Sequence, residues 1–435
     1  MHHIFNVGKA VSSQELVDRK GEIRRLKGCI TESGQSAALV GEPRTGKTSL
    51  LHYLMAAETR QDLYGEAGAR LRFQYLDAQA LGGGFDAPKF WGLALMPIEE
   101  LVKSEPGLQP AYGIACQEKF GTFVLERLFT QLQVAGWRLV LLVDEFDSIL
   151  HLPLLNQSEF YGGLRSLASR FSSLSLVIAA RQSLSDLNRL TQDFSRAGSP
   201  YFNIYQQIDL GAFKEKDALE LLARGEAHFS RGDKTYLLRL AGGHPFLLQA
   251  AASALWSAYE DGEKDARLRY QQAGKDLFQQ AAPTLQDTWR LWPPEMKKAF
   301  TIIALDNLPR LLGERKFDLD ALIKSLADYT PELRSLETRG YIAPDAGPPG
   351  TGAPSGYAIQ AEVMLWWLAE ELIQALRRQD DLGAWLRAEG WEGLLKRGEK
   401  DALLKAARDA GNLLKPGLDA LIKAAAERLG KVVAG

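Results

Sequence analysis

The chain has 435 residues, a length that predicts about two to four domains. Hydrophobic residues make up 46% and charged residues 24%, as in globular proteins that bury real cores. The formal net charge of −2 argues against a general nucleic-acid binder, because such proteins usually carry a basic excess.

Along the chain, the first predicted helix covers residues 14–30, where Ile23, Leu26 and Ile30 recur at helical spacing. Short apolar segments then alternate with helical patterns as far as about residue 210, which predicts βαβ units and a parallel sheet. The segment 139–143 is apolar at every position, as expected for a strand covered on both faces. The predicted strands are residues 37–40, 71–76, 139–143, 174–180 and 205–210.

Only helical patterns follow from residue 211 to about 285, and Pro293-Pro294 then marks a break. Residues 295–372 predict three helices, a strand, a turn, a strand and a helix, which is the order of a winged-helix domain. The predicted strands of this part are residues 341–343 and 356–359, joined by a loop rich in Pro and Gly. A helical tail rich in Ala, Leu and Lys begins at about residue 379.

One glycine-rich motif stands between the first predicted strand and an amphipathic helix. Residues 41–48 match the pattern G-x-x-x-x-G-K-S/T, in the strand and helix context that this pattern requires. The backbone N–H groups and the helix N-terminus would hold phosphates, Lys47 would reach the β- and γ-phosphates, and Thr48 would bind Mg²⁺. The alternative is a chance glycine-rich turn. The predicted ATP-binding residues here are Gly41, Glu42, Pro43, Arg44, Thr45, Gly46, Lys47, Thr48 and Ser49.

Two acids end the apolar segment 139–143. Asp144 would hold Mg²⁺ through water, and Glu145 would polarise the attacking water in a hydrolysis reaction. The alternative is an ordinary strand-to-loop turn with solvated acids. Asp147 is expected to be a loop or cap residue. At the end of the next predicted strand, Arg181 is in a position to sense the γ-phosphate, and a surface contact is its alternative.

Several stretches together resemble the archaeal-type ATPase family within the STAND class, a branch of the AAA+-like P-loop ATPases. They are LVDR at residues 16–19, GEPRTGKTSLL, VLLVDEFD, LSLVIAARQSL, SPYFNIYQQIDL and AGGHPFLLQ, in that family's order. The resemblance implies a sheet of order 5-1-4-3-2, a helical lid and a winged helix that closes over the nucleotide. It also implies an ATP-driven change between a closed, often monomeric state and an open, often oligomeric state.

The resemblance assigns further residues. Val17, Asp18 and Arg19 would lie beside the adenine, Arg181 would be the sensor arginine, and Pro245 in the motif Gly-Gly-His-Pro would pack near the base. For Pro245 the alternative is a helix-start turn without ligand contact. Two departures stand out. Residues 357–368 contain Gln360 and no histidine that could reach the β-phosphate. Arg196 lies near the place of an arginine finger but is better explained as a loop cation.

The expected fold class is α/β, a P-loop NTPase sheet followed by a lid, a winged helix and a C-terminal helical segment. We expect a P-loop ATPase domain at 1–210, a helical lid at 211–285, a winged-helix domain at 286–378 and a helical appendage at 379–435. The tail would bind a partner or a second subunit, or pack on its own winged helix through Trp366 and Trp367.

The expected function is an ATP-hydrolysing molecular switch, with catalytic roles for Glu145, Lys47 and Arg181 and with Mg²⁺ on Thr48 and Asp144. The alternatives are a DNA-associated ATPase and a binding module whose ATP is structural. Residues 331–339 hold two Glu against two Arg, and the loop 344–356 holds no Lys or Arg, so a structural winged helix is favoured over a DNA-binding one.

Location and redox state also follow from the sequence. No basic segment followed by an apolar run begins the chain, and its apolar stretches are too short to span a membrane. The two cysteines, Cys29 and Cys116, lie far apart without His or Cys neighbours, which argues against a disulfide framework and a zinc site. We therefore expect a cytoplasmic protein.

Overall fold

The computed structural model describes residues 4–191, 200–345, 353–379, 382–391, 393–414 and 417–433. Its contacts divide the chain into two units. The sheet unit comprises Ala10–Glu42 and Gly46–Leu210, and the helical unit comprises Met1–Lys9, Pro43–Thr45 and Gly211–Gly435. Arg196 and most of the predicted wing loop lie outside the described residues.

The described strands of the sheet unit form a parallel sheet. Its order is β2-β3-β4-β1-β5, which confirms the predicted order 5-1-4-3-2. The central strands are apolar at nearly every position because both faces of the sheet are covered: Leu39 and Val177 belong to one hydrophobic core, and Val40 and Ile178 to the other. The strands are β1 (Ser36–Val40), β2 (Leu71–Asp77), β3 (Arg138–Asp144), β4 (Leu174–Ala180) and β5 (Tyr205–Asp209).

Helices cover the two faces of this sheet. Leu50, Leu51 and Leu54 of the helix after β1 enter one core, and Leu125, Leu128 and Phe129 enter the other. The helices are α1 (Lys20–Gly28), α2 (Lys47–Met55), α3 (Ala57–Tyr64), α4 (Ala87–Ala94), α5 (Met96–Ser104), α6 (Gln109–Gln117), α7 (Thr122–Val134), α8 (Ser158–Arg170) and α9 (Leu184–Leu190).

The first predicted helix is shorter than expected. The prediction of one helix over residues 14–30 is wrong at its start, because α1 begins only at Lys20. Asp18 and Arg19 have φ angles of 61° and 70°, a left-handed conformation that cannot continue a right-handed helix. Between residue 4 and these two, the helical structure is limited to a short 3-10 turn, Ser13–Glu15.

The helical unit follows the predicted order of helices and strands. The strand pair is antiparallel, with Ile342 opposite Ile359. One long helix, α13, crosses the predicted boundary between residues 285 and 286. The elements are α10 (Glu215–Ala223), α11 (Arg231–Ala241), α12 (Pro245–Glu260), α13 (Ala266–Leu291), α14 (Pro294–Leu312), α15 (Asp320–Ser325), α16 (Thr330–Thr338), β6 (Ile342–Pro344), β7 (Tyr357–Ile359), α17 (Glu362–Gln379), α18 (Leu382–Ala388), α19 (Arg397–Leu413) and α20 (Leu418–Val433).

The C-terminal helices pack on their own unit. Helix α20 contacts α11, α13, α14 and α17, and α19 contacts α14, α15 and α17. Two buried carboxylates anchor them: Glu399 lies 3.1 Å from Lys298 Nζ, and Glu362 lies 2.9 Å from Arg428 Nη2. The structure therefore agrees with the alternative in which the tail packs on its own chain. No helix among the described residues is long and apolar enough to cross a membrane.

Candidate functional site

The glycine-rich loop leaves β1 and enters α2, as the motif requires. Gly41 N–H donates to Ala180 O at 3.1 Å, which ties the start of the loop to the end of β4. Gly46 caps α2 with φ 95°, and a Cβ built there would meet no atom within 4 Å. The backbone conformation, and not a lack of space, therefore requires glycine at this position. The open space beside it is what a loop that receives phosphate needs.

Lys47 is buried at the first turn of α2, where it is only 4% exposed. Its Nζ donates to Gly41 O at 2.8 Å and to Glu42 O at 2.9 Å. Burial lowers the pKa of the amine, and the carboxylates of Glu145 and Asp144 oppose that effect. The loop thus holds a desolvated cation at its own carbonyl groups, ready to meet an anion.

Asp144 brings three elements of the sheet unit together. Its Oδ2 accepts hydrogen bonds from Thr48 Oγ1 at 2.6 Å and from the Tyr75 hydroxyl at 3.0 Å. Its Oδ1 accepts one from the Glu145 N–H at 2.9 Å. A hydroxyl next to a buried carboxylate supplies the hard oxygen ligands that Mg²⁺ prefers, with phosphates and water completing its shell. These residues therefore fit the predicted metal.

Glu145 follows with φ 48°, which turns the chain sharply at the end of β3. Its Oε2 lies 2.9 Å from Arg181 Nε and 2.8 Å from Arg181 Nη2. Asp147 accepts hydrogen bonds from the backbone N–H groups of Arg181 and Gln182, at 2.7 and 3.1 Å. Asp147 thus caps the end of β4, as expected, and the structure places the predicted base and the predicted sensor in one ion pair.

The remaining predicted binding residues lie on several segments. Arg19 is 3% exposed and lies 3.6 Å from Glu22. Ser49 is buried and accepts a hydrogen bond from Val11 N–H at 3.1 Å. Glu42 and Thr45 are buried as well, whereas Pro43 is half-buried. Asp18 and Arg19 share the left-handed backbone described above, which is rare for two consecutive residues that are not glycine.

The motif around Pro245 belongs to the helical unit. Pro245 begins α12, and the Cβ positions of Gly242 and Gly243 would lie 2.3 Å from Gly340 O and 2.7 Å from Phe213 O. Both glycines are therefore needed for close backbone packing inside this unit, in addition to their positive φ angles. In the same unit, the guanidinium of Arg44 lies over the Phe246 ring, 4.5 Å from its centroid.

Sequence reasoning missed Tyr75. Its hydroxyl contacts Asp144, its ring packs edge-on against His52 at 5.0 Å, and burial and the neighbouring Asp144 raise its pKa. Nothing in the local pattern of β2 points to this role. The register offers the one available signal, because Asp77 pairs with Asp144 and Tyr75 lies two residues before it, on the same face of the strand.

Comparisons with known proteins agree with this fold. Residues 7–284, more than half of the chain, match the family of AAA-like domains. A Walker-type ATPase of Pyrococcus abyssi is similar over 84% of this chain and 99% of its own, with 14% identity and a TM-score of 0.50. The ORC2 protein of Aeropyrum pernix, in ADPNP-ADP complexes, is similar over 85% and 98%, with 15% identity and a TM-score of 0.49. No curated protein sequence matches significantly. At these identities the likeness shows the fold alone.

Proposed function

Because this chain belongs to the family of AAA-like domains, we propose that it binds ATP with Mg²⁺ on residues 41–48 and hydrolyses it slowly, as a STAND-type molecular switch. The observation that carries the proposal is the contact of Thr48 with Asp144 at 2.6 Å. It joins the glycine-rich loop to the acidic end of β3, a contact that is not expected of a chance glycine-rich turn.

The roles of the side chains follow from their positions. Lys47 neutralises phosphate charge, since a buried amine makes stronger contacts with anions than a solvated one. Thr48 and Asp144 would hold Mg²⁺, which supplies further positive charge at the phosphates when it is bound. Glu145 accepts the proton of the attacking water. Asp18, Arg19 and Pro245 are proposed to contact the base.

Arg181 gives this site its switch character. While it pairs with Glu145, the carboxylate is engaged and is a poorer acceptor for the proton of water. A γ-phosphate offers Arg181 a competing anion, so we propose that ATP, and not ADP, separates the pair. The signal would pass to a protein partner or to a second copy of the chain.

The DNA-associated alternative gains little from the helical unit. Helix α16 carries Glu332 and Glu337 beside Arg334 and Arg339, so its charge is balanced. A helix that reads a DNA groove must also neutralise phosphates. We therefore propose a structural winged helix.

A cytoplasmic location is proposed because Cys29 and Cys116 are free thiols, as a reducing compartment would keep them.

Calorimetric titration of Lys47→Ala with ATP and Mg²⁺ tests the binding site. Losing a charge-assisted contact of about 1.5–3 kcal/mol weakens binding roughly 10- to 100-fold. The matched control is Lys103→Ala, an exposed lysine of the same unit, which should bind as the wild type does. Wild-type affinity in Lys47→Ala would refute the assignment. Lys47→Met, which keeps the length of the side chain, covers the case in which the alanine variant is unstable.

A further inference from the structure

Three arginines gather around two aromatic rings where β2 begins. The Cζ atoms of Arg70 and Arg72 lie 4.7 and 4.1 Å from the centroid of the Trp137 ring. The Cζ atom of Arg60 lies 5.3 Å from the centroid of Phe73. All five residues belong to the sheet unit, and β2 is one of the two edge strands of the described sheet. We call Arg60, Arg70, Arg72 and Trp137 the arginine–tryptophan cluster.

The positive charge of this cluster is not neutralised by ion pairs. In the described part of the chain, none of the three arginines has a carboxylate within salt-bridge distance. Partial burial lowers the pKa of Arg72, repulsion from Arg60 and Arg70 adds to this, and Glu105 opposes it. The chain as a whole carries a net charge of −2, so a basic composition does not explain the accumulation. It is a local feature of this edge of the sheet.

The rings hold the guanidinium groups in place and leave donors available. Stacking on an aromatic ring uses the face of a guanidinium, whereas hydrogen bonds use its edge. Arg72 Nη1 donates to Ala69 O at 3.1 Å and to Leu71 O at 3.0 Å, which leaves its Nη2 and Nε available. Arg70 is exposed and makes no hydrogen bond with any described residue. Its N–H groups are free to meet an acceptor from outside the chain.

We propose that the arginine–tryptophan cluster binds the phosphate backbone of a nucleic acid. The planar fork of arginine matches the two oxygens of a phosphate, and Arg70 and Arg72 present two forks over one ring. Trp137 is only 8% exposed, so its ring supports the arginines and does not stack on bases. Contacts are therefore made to phosphates and are independent of sequence. This site is separate from the predicted winged helix and does not depend on ATP hydrolysis.

An acidic protein segment is the other occupant to consider. Recognition of a protein partner usually combines charge with exposed apolar area. Trp137 at the centre of the cluster is buried, and Phe73 is only half-exposed. Among the large apolar side chains that the structure describes in the sheet unit, Phe123 and Val134 of α7 are the most exposed, and neither belongs to β2 or to the cluster. The cluster thus offers charge and guanidinium edges with little apolar surface, which favours a phosphate backbone.

Fluorescence anisotropy with a labelled oligonucleotide, as a single strand and as a duplex, tests the proposal over a range of salt concentrations. The wild type should bind at low salt, and its affinity should fall steeply as salt rises. The double variant Arg70→Gln/Arg72→Gln should bind at least about tenfold more weakly, and the slope of log affinity against log salt should fall by about two. Comparison of the two oligonucleotides shows whether the cluster prefers a single-stranded or a duplex backbone.

The matched control is the double variant Arg170→Gln/Arg189→Gln. It removes two positive charges from the same unit, at arginines that already pair with Glu126 and Asp186, and it should bind within about twofold of the wild type. The variant Arg70→Lys/Arg72→Lys keeps the charge and should retain part of the affinity, which covers the case in which the glutamine variant folds poorly. Absence of wild-type binding at low salt overturns the proposal, as does unchanged affinity in the glutamine variant. Displacement of the oligonucleotide by polyglutamate at equal charge concentration would assign the cluster to an acidic protein instead.

Discussion

Two nitrogens of Arg181, Nε and Nη2, lie 2.9 and 2.8 Å from one and the same oxygen of Glu145. The backbone of each residue is fixed by a hydrogen bond: Arg181 N–H donates to Asp147, and Glu145 N–H donates to Asp144. The side chains of Arg181 and Glu145 are 33% and 22% exposed, so water weakens the pair and a stronger anion can replace Glu145 at Arg181. An anion that binds Arg181, the predicted sensor, would therefore release Glu145, the predicted base.

The substitution Glu145→Gln should keep ATP bound and slow hydrolysis by roughly 100-fold or more, because it preserves the shape of the side chain and removes the proton acceptor. Steady-state phosphate release, measured beside calorimetric affinity, gives both quantities. Glu159→Gln, an exposed glutamate at the start of α8, is the matched control and should hydrolyse ATP at the wild-type rate. Equal turnover in Glu145→Gln and the wild type would exclude Glu145 as the base.

The substitution Tyr75→Phe removes one of the hydrogen bonds that orient Asp144. Loss of such an outer contact typically weakens metal affinity by about 10- to 100-fold. We expect a higher Mg²⁺ requirement for ATP hydrolysis, while binding of ATP without Mg²⁺ stays near the wild-type value. Tyr53→Phe, on α2, is the control, and titration of the hydrolysis rate with Mg²⁺ is the measurement. An unchanged Mg²⁺ dependence would reduce Tyr75 to a packing role.

The sheet could be predicted from the sequence because its strands carry their own evidence. Apolar segments such as Leu174–Ala180 are buried at every position, and the glycine-rich motif identified which strand precedes α2. The motif therefore also predicts that Lys47 and Thr48 lie at the start of α2, where the structure has them. Local patterns end where the backbone leaves the common conformations, and for this reason Asp18 and Arg19 interrupt a helix that periodicity predicts.

Contacts between distant segments were beyond sequence reasoning. Tyr75 and Asp144 are 69 residues apart and meet because β2 pairs with β3 in one register. A pair such as Gly242-Gly243 can mark a flexible joint or close backbone packing, and here Gly340 and Phe213 leave no room for a Cβ. The sequence of a glycine pair is the same in both cases. Only the tertiary structure distinguishes a flexible joint from close packing.

The C-terminal helices should contribute to stability, since their anchors are buried. Lys298→Met leaves Glu399 without its cation in the interior and should cost about 3–5 kcal/mol. Arg428→Ala should cost less, about 1–2 kcal/mol, because Glu362 keeps Arg239 at 3.3 Å. Lys423→Ala, at a 67% exposed side chain of α20, is the control. Thermal unfolding, followed by circular dichroism, ranks these three variants by stability.

Removal of the tail after Arg378 extends this test. If the tail packs on its own chain, the truncated protein melts at a lower temperature and its mass in solution is unchanged. If the tail instead joins two copies or binds a partner, truncation leaves the melting temperature unchanged and the assembly is lost. Size-exclusion chromatography with light scattering supplies the mass. The buried faces of α19 and α20, with residues such as Leu403 and Ile422, lead us to expect the first outcome.

The last prediction concerns the response to nucleotide. We expect a non-hydrolysable ATP analogue, and not ADP, to change the sites at which a protease cuts the chain and the small-angle scattering profile. A complete reversal of a two-state equilibrium needs about 5.5 kcal/mol of differential binding. Each charge-assisted contact to the γ-phosphate supplies roughly 1.5–3 kcal/mol, so two or three must change together. Lys47 and Arg181 are the candidates within the sheet unit.

The variant Arg181→Ala separates this response from nucleotide binding itself. Without its guanidinium there is nothing to transfer from Glu145 to the γ-phosphate, so the variant should bind the analogue with a modest loss and respond to it as the wild type responds to ADP. Arg189→Ala, whose 70% exposed side chain pairs with Asp186, is the control and should respond as the wild type does. If the wild type itself gives identical profiles with ADP and the analogue, the protein does not switch, and its ATP has a structural role.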